Sequence, residues 1–287
     1  MSDCGQHGIT LIAFVGSVFS PYYAWARRRG RANPDNHCAL NVAIYSKGQG
    51  RWAMTERGQR HCARSAQQLT IGPSQLNWDG DCLTIDINEV CVPFPQRIQG
   101  RIKLWPQQLF AYSKPLDEAG RHRWGPLAPS SRIEVDLKSP DLRWQGHAYL
   151  DSNEGDEPVD QGFHTWDWSR ARTRDGSTVV FYDMQAPAAD DRVLSLRFTP
   201  KGTVEPIAAP PVQRLPKTAW RIDRRMRSTQ AVRVHEQLED TPFYQRALLQ
   251  FDYAGEPLLA FHETLSVPRL VSPVVQAMLP WRMPRRA

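Results

Sequence analysis

Short runs of alternating or apolar residues, separated by turns that contain glycine, recur along the whole chain. Residues 84–87 and 133–136 alternate apolar and polar side chains with the period of two that half-buried strands show. Few segments have the period of an amphipathic helix. We therefore predict an all-β protein. The strand-like runs are 38–46, 82–90, 97–105, 132–138, 177–185, 193–199 and 231–239.

The number of these strands and the length of the chain constrain the architecture. Many short strands joined by tight turns form sandwiches or barrels, and closure into a barrel removes exposed strand edges. The 287 residues are enough for two domains, and the composition changes near residues 138–141. We predict two antiparallel β-barrel domains, residues 1–140 and 141–287. A short helix is expected at residues 272–279, before Pro280.

Several classes of protein are excluded by composition. No window of 18 apolar residues occurs, and the most apolar run, residues 9–19, is too short to cross a bilayer and has no basic leader. A cytoplasmic location is therefore expected. The five cysteines lie in the first third of the chain without a Cys-x-x-Cys motif, which predicts reduced thiols. Neighbouring strand residues point to opposite faces, so His37 with Cys38 cannot chelate locally, and no metal is predicted.

The net charge of +6 is concentrated in arginine clusters at residues 27–31, 221–227 and 282–286. Such clusters bind anionic membranes or nucleic acids, and they also occur on ordinary solvated surfaces. No nucleic-acid-binding motif accompanies them, so no nucleic-acid partner is predicted.

The segment 144–170 combines crowded acids with aromatic residues. Five carboxylates fall within ten residues, and five aromatic side chains flank them. Crowded acids repel one another, and apolar surroundings raise the cost of ionising them, so this segment is a candidate proton-donating site. An acidic surface loop between two strands is the alternative. The carboxylates are Asp151, Glu154, Asp156, Glu157 and Asp160.

Eight sequence blocks, taken in order, resemble the acyclic carotenoid 1,2-hydratases, also called hydroxyneurosporene synthases. The resemblance covers essentially the whole chain. The blocks YLDSNEGDEP and FHTWDW also resemble a wider group of paired lipocalin-like proteins. This resemblance implies two lipocalin-like antiparallel β-barrels. The blocks are GSVFSPYYAWARRRG (16–30), NHCALNVAIY (36–45), RWAMTERG (51–58), GRHRWGPLAP (120–129), YLDSNEGDEP (149–158), FHTWDWSRA (163–171), LEDTPFYQR (238–246) and MLPWRMPRR (278–286).

One difference from the family concerns the start of the chain. Members usually begin with further residues that include an aromatic-rich strand ending just before the position of Ser2. We therefore expect either that the first strand of the N-terminal domain is missing or that the native start lies upstream of Met1. A barrel without its first strand would expose an edge.

The resemblance implies addition of water across the terminal C1=C2 bond of an acyclic carotenoid such as lycopene, neurosporene or a derivative, without a cofactor. An isolated alkene is a very weak base, so the proton donor must be a neutral acid held against it. Protonation at C2 leaves a tertiary cation at C1, which aromatic faces stabilise until water captures it. The pocket must otherwise be dry.

The family pattern assigns Asp151 as the acid, with His122, Trp124 and Tyr149 completing the catalytic set. We expect burial by Trp144 and Tyr149, and repulsion from nearby acids, to keep Asp151 protonated near neutral pH. Trp124 and Tyr149 would stabilise the cation, and His122 would orient the water or return the proton. From the residues alone, an exposed loop position for His122 and core packing for Trp124 remain open alternatives.

A second group of residues is predicted to bind the substrate. Trp144 precedes the acid, and His164, Trp166 and Trp168 alternate along one face of a predicted strand. Core packing is the alternative for these residues. Aromatic residues near Arg27, such as Tyr22, Tyr23 and Trp25, suit a dock on the inner or photosynthetic membrane, where the substrate resides.

Two other functions remain open. A non-catalytic lipocalin-like protein that binds lipid or carotenoid would need no carboxyl in its pocket. A glycoside hydrolase would need two acids on opposite sides of the scissile bond. For a hydratase, other enzymes of the carotenoid pathway are candidate partners.

Overall fold

The computed structural model describes residues 1–186 and 190–286, and within them strands dominate. Four short α-helices and three 3₁₀ turns accompany the strands in this described part. The helices are α1 (Pro21–Arg28), α2 (Val159–Gly162), α3 (Val267–Leu270) and α4 (Pro273–Met278), and the 3₁₀ turns are Pro34–Asn36, Gln59–His61 and Leu279–Trp281.

The strands are β1 (His7–Val15), β2 (Cys38–Ser46), β3 (Arg51–Arg57), β4 (Cys62–Arg64), β5 (Gln68–Ile71), β6 (Ser74–Trp78), β7 (Leu83–Val90), β8 (Arg97–Pro106), β9 (Lys114–Pro115), β10 (His122–Ser139), β11 (Asp141–Gly155), β12 (Thr165–Arg172), β13 (Thr178–Gln185), β14 (Arg192–Phe198), β15 (Val204–Pro206), β16 (Val212–Arg214), β17 (Arg225–Arg227), β18 (Arg233–Asp240), β19 (Tyr244–Tyr253), β20 (Glu256–Ser266) and β21 (Arg285–Arg286).

The strands form four sheets. One has the order β1-β2-β3-β21, a second β11-β10-β8-β7-β6-β5-β4 with β9 paired to β10, a third β15-β14-β13-β12-β20-β19-β18, and the last is the β16-β17 hairpin. All strand pairings described within the third sheet are antiparallel. Among the other pairings described, the pairing of β21 with β3 alone is parallel. The prediction of an all-β protein with few short helices is confirmed.

The chain divides into two compact units that are interleaved in sequence. Unit 1 contains residues 1–106, 131–148 and the chain from Gln276 onward, and unit 2 contains residues 107–130 and 149–275. The boundary predicted at residue 140 falls in the turn between β10 and β11, and each of these strands has residues in both units. The division at residue 140 stays a prediction.

Unit 1 is built around an aliphatic core. Alternate residues of β7, including Ile85 and Ile87, are buried, as the period of two predicts. They pack with Leu40, Ile102 and Trp144 in one cluster. Burial of these side chains provides the hydrophobic stabilisation of the unit.

Unit 2 is organised by the two faces of its seven-stranded sheet. One face carries an apolar cluster that includes Ala171, Phe181 and Leu249, packed with Leu215 and Met226 from the β16–β17 region. Successive strand residues point to opposite faces, so the residues of β12 that alternate with Ala171 belong to the other face. We call that face, which carries Trp168, the inner face.

The segment around Tyr22, which the sequence analysis offers as a membrane dock, forms α1, and its aromatic side chains are half-buried. The Ser20 hydroxyl accepts a hydrogen bond of 2.9 Å from the backbone N–H of Tyr23, and Pro21 occupies the first turn. Tyr23 packs against His37, with ring centroids 4.9 Å apart. The helix predicted near the C-terminus is present as α4.

Candidate functional site

The candidate acid, Asp151, lies on β11 beside Trp124 of the neighbouring strand β10. The Trp124 Nε1–H donates a hydrogen bond of 2.8 Å to Asp151 Oδ2. The Trp124 ring is completely buried and meets Tyr182 edge to face, with centroids 5.8 Å apart. Aromatic packing therefore fixes the indole, and the indole fixes one oxygen of the carboxyl group.

The environment of Asp151 favours the neutral acid. Burial is the largest cause that raises the pKa of Asp151, to about 6, and the negative charge of Glu263 acts in the same direction. The Trp124 hydrogen bond, the Tyr149 hydroxyl and the positive charge of Arg170 oppose this rise. Asp151 is consequently half protonated near pH 6, and a minor fraction of it stays protonated at neutral pH.

The source of the charge repulsion differs from the sequence prediction. The acids that follow Asp151 in sequence are held by arginines of β10 and of the turn before it. Asp156 accepts a hydrogen bond of 2.8 Å from Arg123, and Glu157 pairs with Arg121 at 2.5 Å. The negative charge that acts on Asp151 comes instead from Glu263 on β20.

Tyr149 and Trp168 form an aromatic pair on the same side as Asp151. Their ring centroids are 5.3 Å apart. The Tyr149 hydroxyl and the Trp168 Nε1 are both buried and have no hydrogen-bond partner among the described residues. Buried polar atoms of this kind normally have a partner, so this pair has the capacity to hold a water molecule or a polar ligand atom.

Arg170 extends the pair along β12. Its guanidinium lies over the Tyr149 ring, 5.1 Å from the centroid, and over the Phe261 ring at 5.5 Å. Burial lowers the pKa of Arg170, while the charges of Asp151 and Glu263 favour its cationic form. The Arg170 guanidinium therefore lies over the Tyr149 ring, where the sequence analysis expects the substrate cation.

Sequence reasoning missed three of the residues around Asp151, namely Arg170, Tyr182 and Glu263. Arg170 could have been found, since it continues the alternation of Trp166 and Trp168 along one strand. Tyr182 and Glu263 lie directly opposite Trp168 on the two neighbouring strands, β13 and β20. This register comes from long-range pairing, for which a single sequence gives no signal.

His122 is buried, but the structure does not bring it to Asp151. Its ring packs on Phe163 with centroids 4.8 Å apart, and it lies so close to Gly155 and Gly162 that a Cβ at either position would crowd it. Burial lowers the pKa of His122. The alternative of an exposed loop position is therefore wrong for His122. The contacts of His122 indicate that it packs at the start of β10.

The predicted substrate-binding residues are not all together. Trp168 contacts Tyr149, whereas Trp166 meets Phe163 edge to face at 5.6 Å. His164 precedes β12 and is exposed. Trp144 belongs to the core of unit 1. Of the four, only Trp168 joins the aromatic group around Asp151.

A cavity of about 290 Å³ lies in unit 2 on the other side of β11. Its walls include Phe110, Tyr112, Leu127 and Ser152. Because Ser152 and Asp151 are successive strand residues, their side chains point to opposite faces, and the Asp151 carboxyl is directed away from this cavity. Asp151 keeps part of its surface exposed, so it is not sealed in a closed core.

Residues 1–186 and 190–286 contain no group of three or more His, Cys, Asp or Glu side chains placed to hold a metal ion. None of the helices within the described ranges combines the length and the apolar character that crossing a bilayer requires.

The family model for the carotenoid hydratase CrtC matches residues 11–287. The chain belongs to the carotenoid hydratase CrtC family. Curated relatives agree with this membership. Proteins named acyclic carotenoid 1,2-hydratase from Rubrivivax gelatinosus and Thiocapsa roseopersicina are each 54% identical to this CrtC family member, over 100% and 99% of its length and 72% and 71% of theirs.

A more distant relative and a solved structure extend the comparison. The acyclic carotenoid 1,2-hydratase of Cereibacter sphaeroides is 37% identical over 96% of this chain and 98% of its own. The crystal structure of an AttH-type protein from Nitrosomonas europaea matches with a TM-score of 0.64, over 92% of this chain and 88% of that chain, at 12% identity. That likeness concerns the fold alone, and it confirms the lipocalin-like character expected of the CrtC family member.

Proposed function

We propose that this protein is an acyclic carotenoid 1,2-hydratase, a hydro-lyase that adds water to the terminal C1=C2 bond of substrates such as lycopene and neurosporene. Membership of the CrtC family supports the reaction. The observation that carries the mechanism is the half-buried Asp151 carboxyl, which is held by Trp124 and whose pKa its surroundings raise to about 6. An alkene can be protonated only by such an acid, because a carboxylate has no proton to give.

The first step transfers a proton from Asp151 to C2 of the substrate. Since Oδ2 accepts the hydrogen bond of Trp124, the acidic proton belongs on Oδ1 in the neutral group. The O–H bond breaks, the π electrons form the C2–H bond, and a tertiary cation is left at C1. The newly formed carboxylate and this cation carry opposite charges, so the site gains no net charge.

The second step is capture of the cation by water. The unpartnered Tyr149 hydroxyl and Trp168 Nε1 support a water site next to Asp151. The water oxygen forms the C1–O bond, and one of its protons returns to the Asp151 carboxylate. The acid is thereby regenerated, and the reaction consumes only the alkene and one water molecule.

The substrate requires access from a membrane, and exposed aromatic residues of unit 1 support a dock there. Phe94 and Trp281 are the most exposed of the large apolar side chains described, at 78% and 79%. Phe94 lies in the loop after Cys91, whose thiol is within hydrogen-bonding range of the Trp52 backbone. Arg282, next to Trp281, stacks over the Trp52 ring at 5.0 Å. The residue before the loop that carries Phe94 and the residue next to Trp281 thus both lie near Trp52.

The charges around these residues suit an anionic lipid surface. Arg51 binds the backbone carbonyl of Arg97 at the end of the same loop, and Arg282 lies over the Trp52 ring. Basic side chains next to exposed aromatic rings are the composition of peripheral membrane sites. We call Phe94, Trp281 and the arginines Arg51, Arg97 and Arg282 the docking surface.

The proposed function is tested with purified protein and lycopene or neurosporene in detergent, without added cofactor and in ¹⁸O-labelled water. The expected product is the 1-hydroxy carotenoid with one labelled oxygen. A lipocalin-like carrier would instead bind the carotenoid and return it unchanged, and that outcome would refute the hydratase assignment.

A further inference from the structure

Charged residues that the proposed reaction does not use lie in the interior next to the site. Tyr182, Trp168, Glu263, Arg246 and Glu239 are directly opposite one another on the successive strands β13, β12, β20, β19 and β18. Directly paired residues point to the same face of a sheet. All five therefore lie on the inner face, in one line that begins beside the aromatic neighbours of Asp151.

Arg246 holds both carboxylates of this line. Its Nε donates to Glu263 Oε1 at 2.8 Å, and Nη1 donates to Glu239 Oε1 at 2.7 Å. The side chain is only 2% exposed, and its guanidinium lies over the ring of Tyr244 at 5.2 Å. Two carboxylates on one arginine leave this trio with one net negative charge.

Arg170 supplies the matching positive charge. It lies on the inner face two residues from Trp168, between the Tyr149 and Phe261 rings. No Asp or Glu oxygen within 4 Å pairs with it in the described part of the chain. The trio and Arg170 are together neutral, so ionised Asp151 would add a negative charge that these four residues do not balance. An unbalanced charge in a poorly solvated interior is costly.

We propose that Glu263, fixed by Arg246, is a positioning residue that holds Asp151 in its acid form, and that Arg170 acts in the opposite direction by stabilising the carboxylate after the proton has left. The inference rests on the proposed function, because it explains how the acid is kept ready between turnovers. The inference gives a role to a partly buried ion cluster. Stability alone does not explain such a cluster, because buried ion pairs are often no more stabilising than apolar residues.

The groups that face Asp151 come from five strands. The Trp124 indole of β10 donates a hydrogen bond to the carboxyl, Tyr149 of β11 is two residues from it on the same strand, and Tyr182 of β13 is buried beside Trp124. Arg170 of β12 and Glu263 of β20 are the two whose full charges act on it at neutral pH. Removal of either charge should therefore shift the protonation of Asp151, in opposite directions.

The experiment follows the infrared C=O band of the protonated Asp151 carboxyl during a pH titration of the full-length chain, with the band assigned by its absence in Asp151→Asn. Glu263→Gln should move the midpoint down by roughly one pH unit, and Arg170→Met should move it up by a similar amount. Arg170→Lys keeps the charge and should leave the midpoint near that of wild type. Glu205→Gln is the matched control, because it removes a carboxylate that pairs with Arg197 at 3.0 Å on β15 and β14.

A midpoint in Glu263→Gln that is unchanged or raised would overturn the proposal. Circular dichroism checks each fold, and if Glu263→Gln is unfolded, the comparison of Arg170→Met with Arg170→Lys decides, since equal midpoints in these two variants would also overturn it. The infrared band does not depend on turnover. A wild-type protein that shows the band and its expected shifts but hydrates no carotenoid would refute the proposed function, while the opposite effects of Glu263 and Arg170 on the protonation of Asp151 would stand.

Discussion

Trp124 and Asp151 are joined by a hydrogen bond of 2.8 Å from the indole Nε1–H to Oδ2. The two residues lie on neighbouring strands, and the indole is completely buried among aromatic rings. The hydrogen bond occupies one carboxyl oxygen and leaves the other for the substrate. In the proposed mechanism this contact gives Trp124 the role of orienting the acid, whereas the sequence predicts that it stabilises the cation.

Trp124→Phe should keep the aromatic packing and lose this hydrogen bond. Hydrogen bonds to ionisable groups contribute about 1.5–3 kcal/mol, so we expect kcat to fall by roughly 10- to 100-fold. Because the bond also lowers the pKa of Asp151, the pH midpoint of activity should move up. Trp220→Phe, at a half-exposed position, is the control for loss of an indole. A Trp124→Phe enzyme with wild-type kcat would remove Trp124 from the site.

The rate of the wild-type protein should depend on pH through Asp151. Its pKa is raised to about 6, and only the protonated form can react. Values of kcat/KM should therefore be level at low pH and fall as the pH rises above about 6, approaching a tenfold loss per pH unit. Initial rates with lycopene in detergent between pH 5 and pH 8.5 measure this. A rate that increases across that range would indicate a general base instead of an acid.

Trp168→Phe should impair water capture with little effect on substrate binding. The variant removes the buried Nε1 and keeps most of the contact with Tyr149. We expect kcat to fall by about tenfold with KM nearly unchanged, which is the effect of losing one hydrogen bond in the transition state. Trp166→Phe on the same strand is the matched control, since Trp166 packs on Phe163. Equal losses in the two variants would contradict a water site at Trp168.

The docking surface should control binding to lipid. The double variant Phe94→Ser and Trp281→Ser removes two exposed aromatic side chains of unit 1, so we expect at least about tenfold weaker sedimentation with vesicles that contain anionic lipid. Activity on detergent-solubilised substrate should stay at the wild-type level. Trp220→Ser is the control. Vesicle binding that is unchanged in the double variant, or insensitive to salt, would place the dock elsewhere.

Much of the fold follows from local sequence. The run 38–46 coincides with β2, and the run 97–105 with β8 apart from its last residue. These segments alternate or are continuously apolar, and the turns between them contain glycine. Two elements, β10 and α1, could not be predicted in full from the sequence. β10 includes Pro126 and Pro129, which resemble strand breaks, and α1 is marked only by Ser20 and the proline that follows it.

The site was predictable only in part, because its groups come from distant strands. Asp151 and Tyr149 could be placed on one face by their spacing of two, and the family resemblance added Trp124. Glu263 lies opposite Trp168 only because β12 pairs with β20 in one register. Trp144 precedes the acid in sequence but packs in the core of unit 1, since nearness along the chain does not determine which core a side chain enters.

The most direct test of the neutral acid is the activity of Asp151→Asn. The amide keeps the size of the side chain and can still accept the hydrogen bond of Trp124, but it has no proton acidic enough for an alkene. With circular dichroism and carotenoid binding like those of wild type, hydration of lycopene should fall by at least about a thousandfold. Hydration at close to the wild-type rate would show that another group donates the proton.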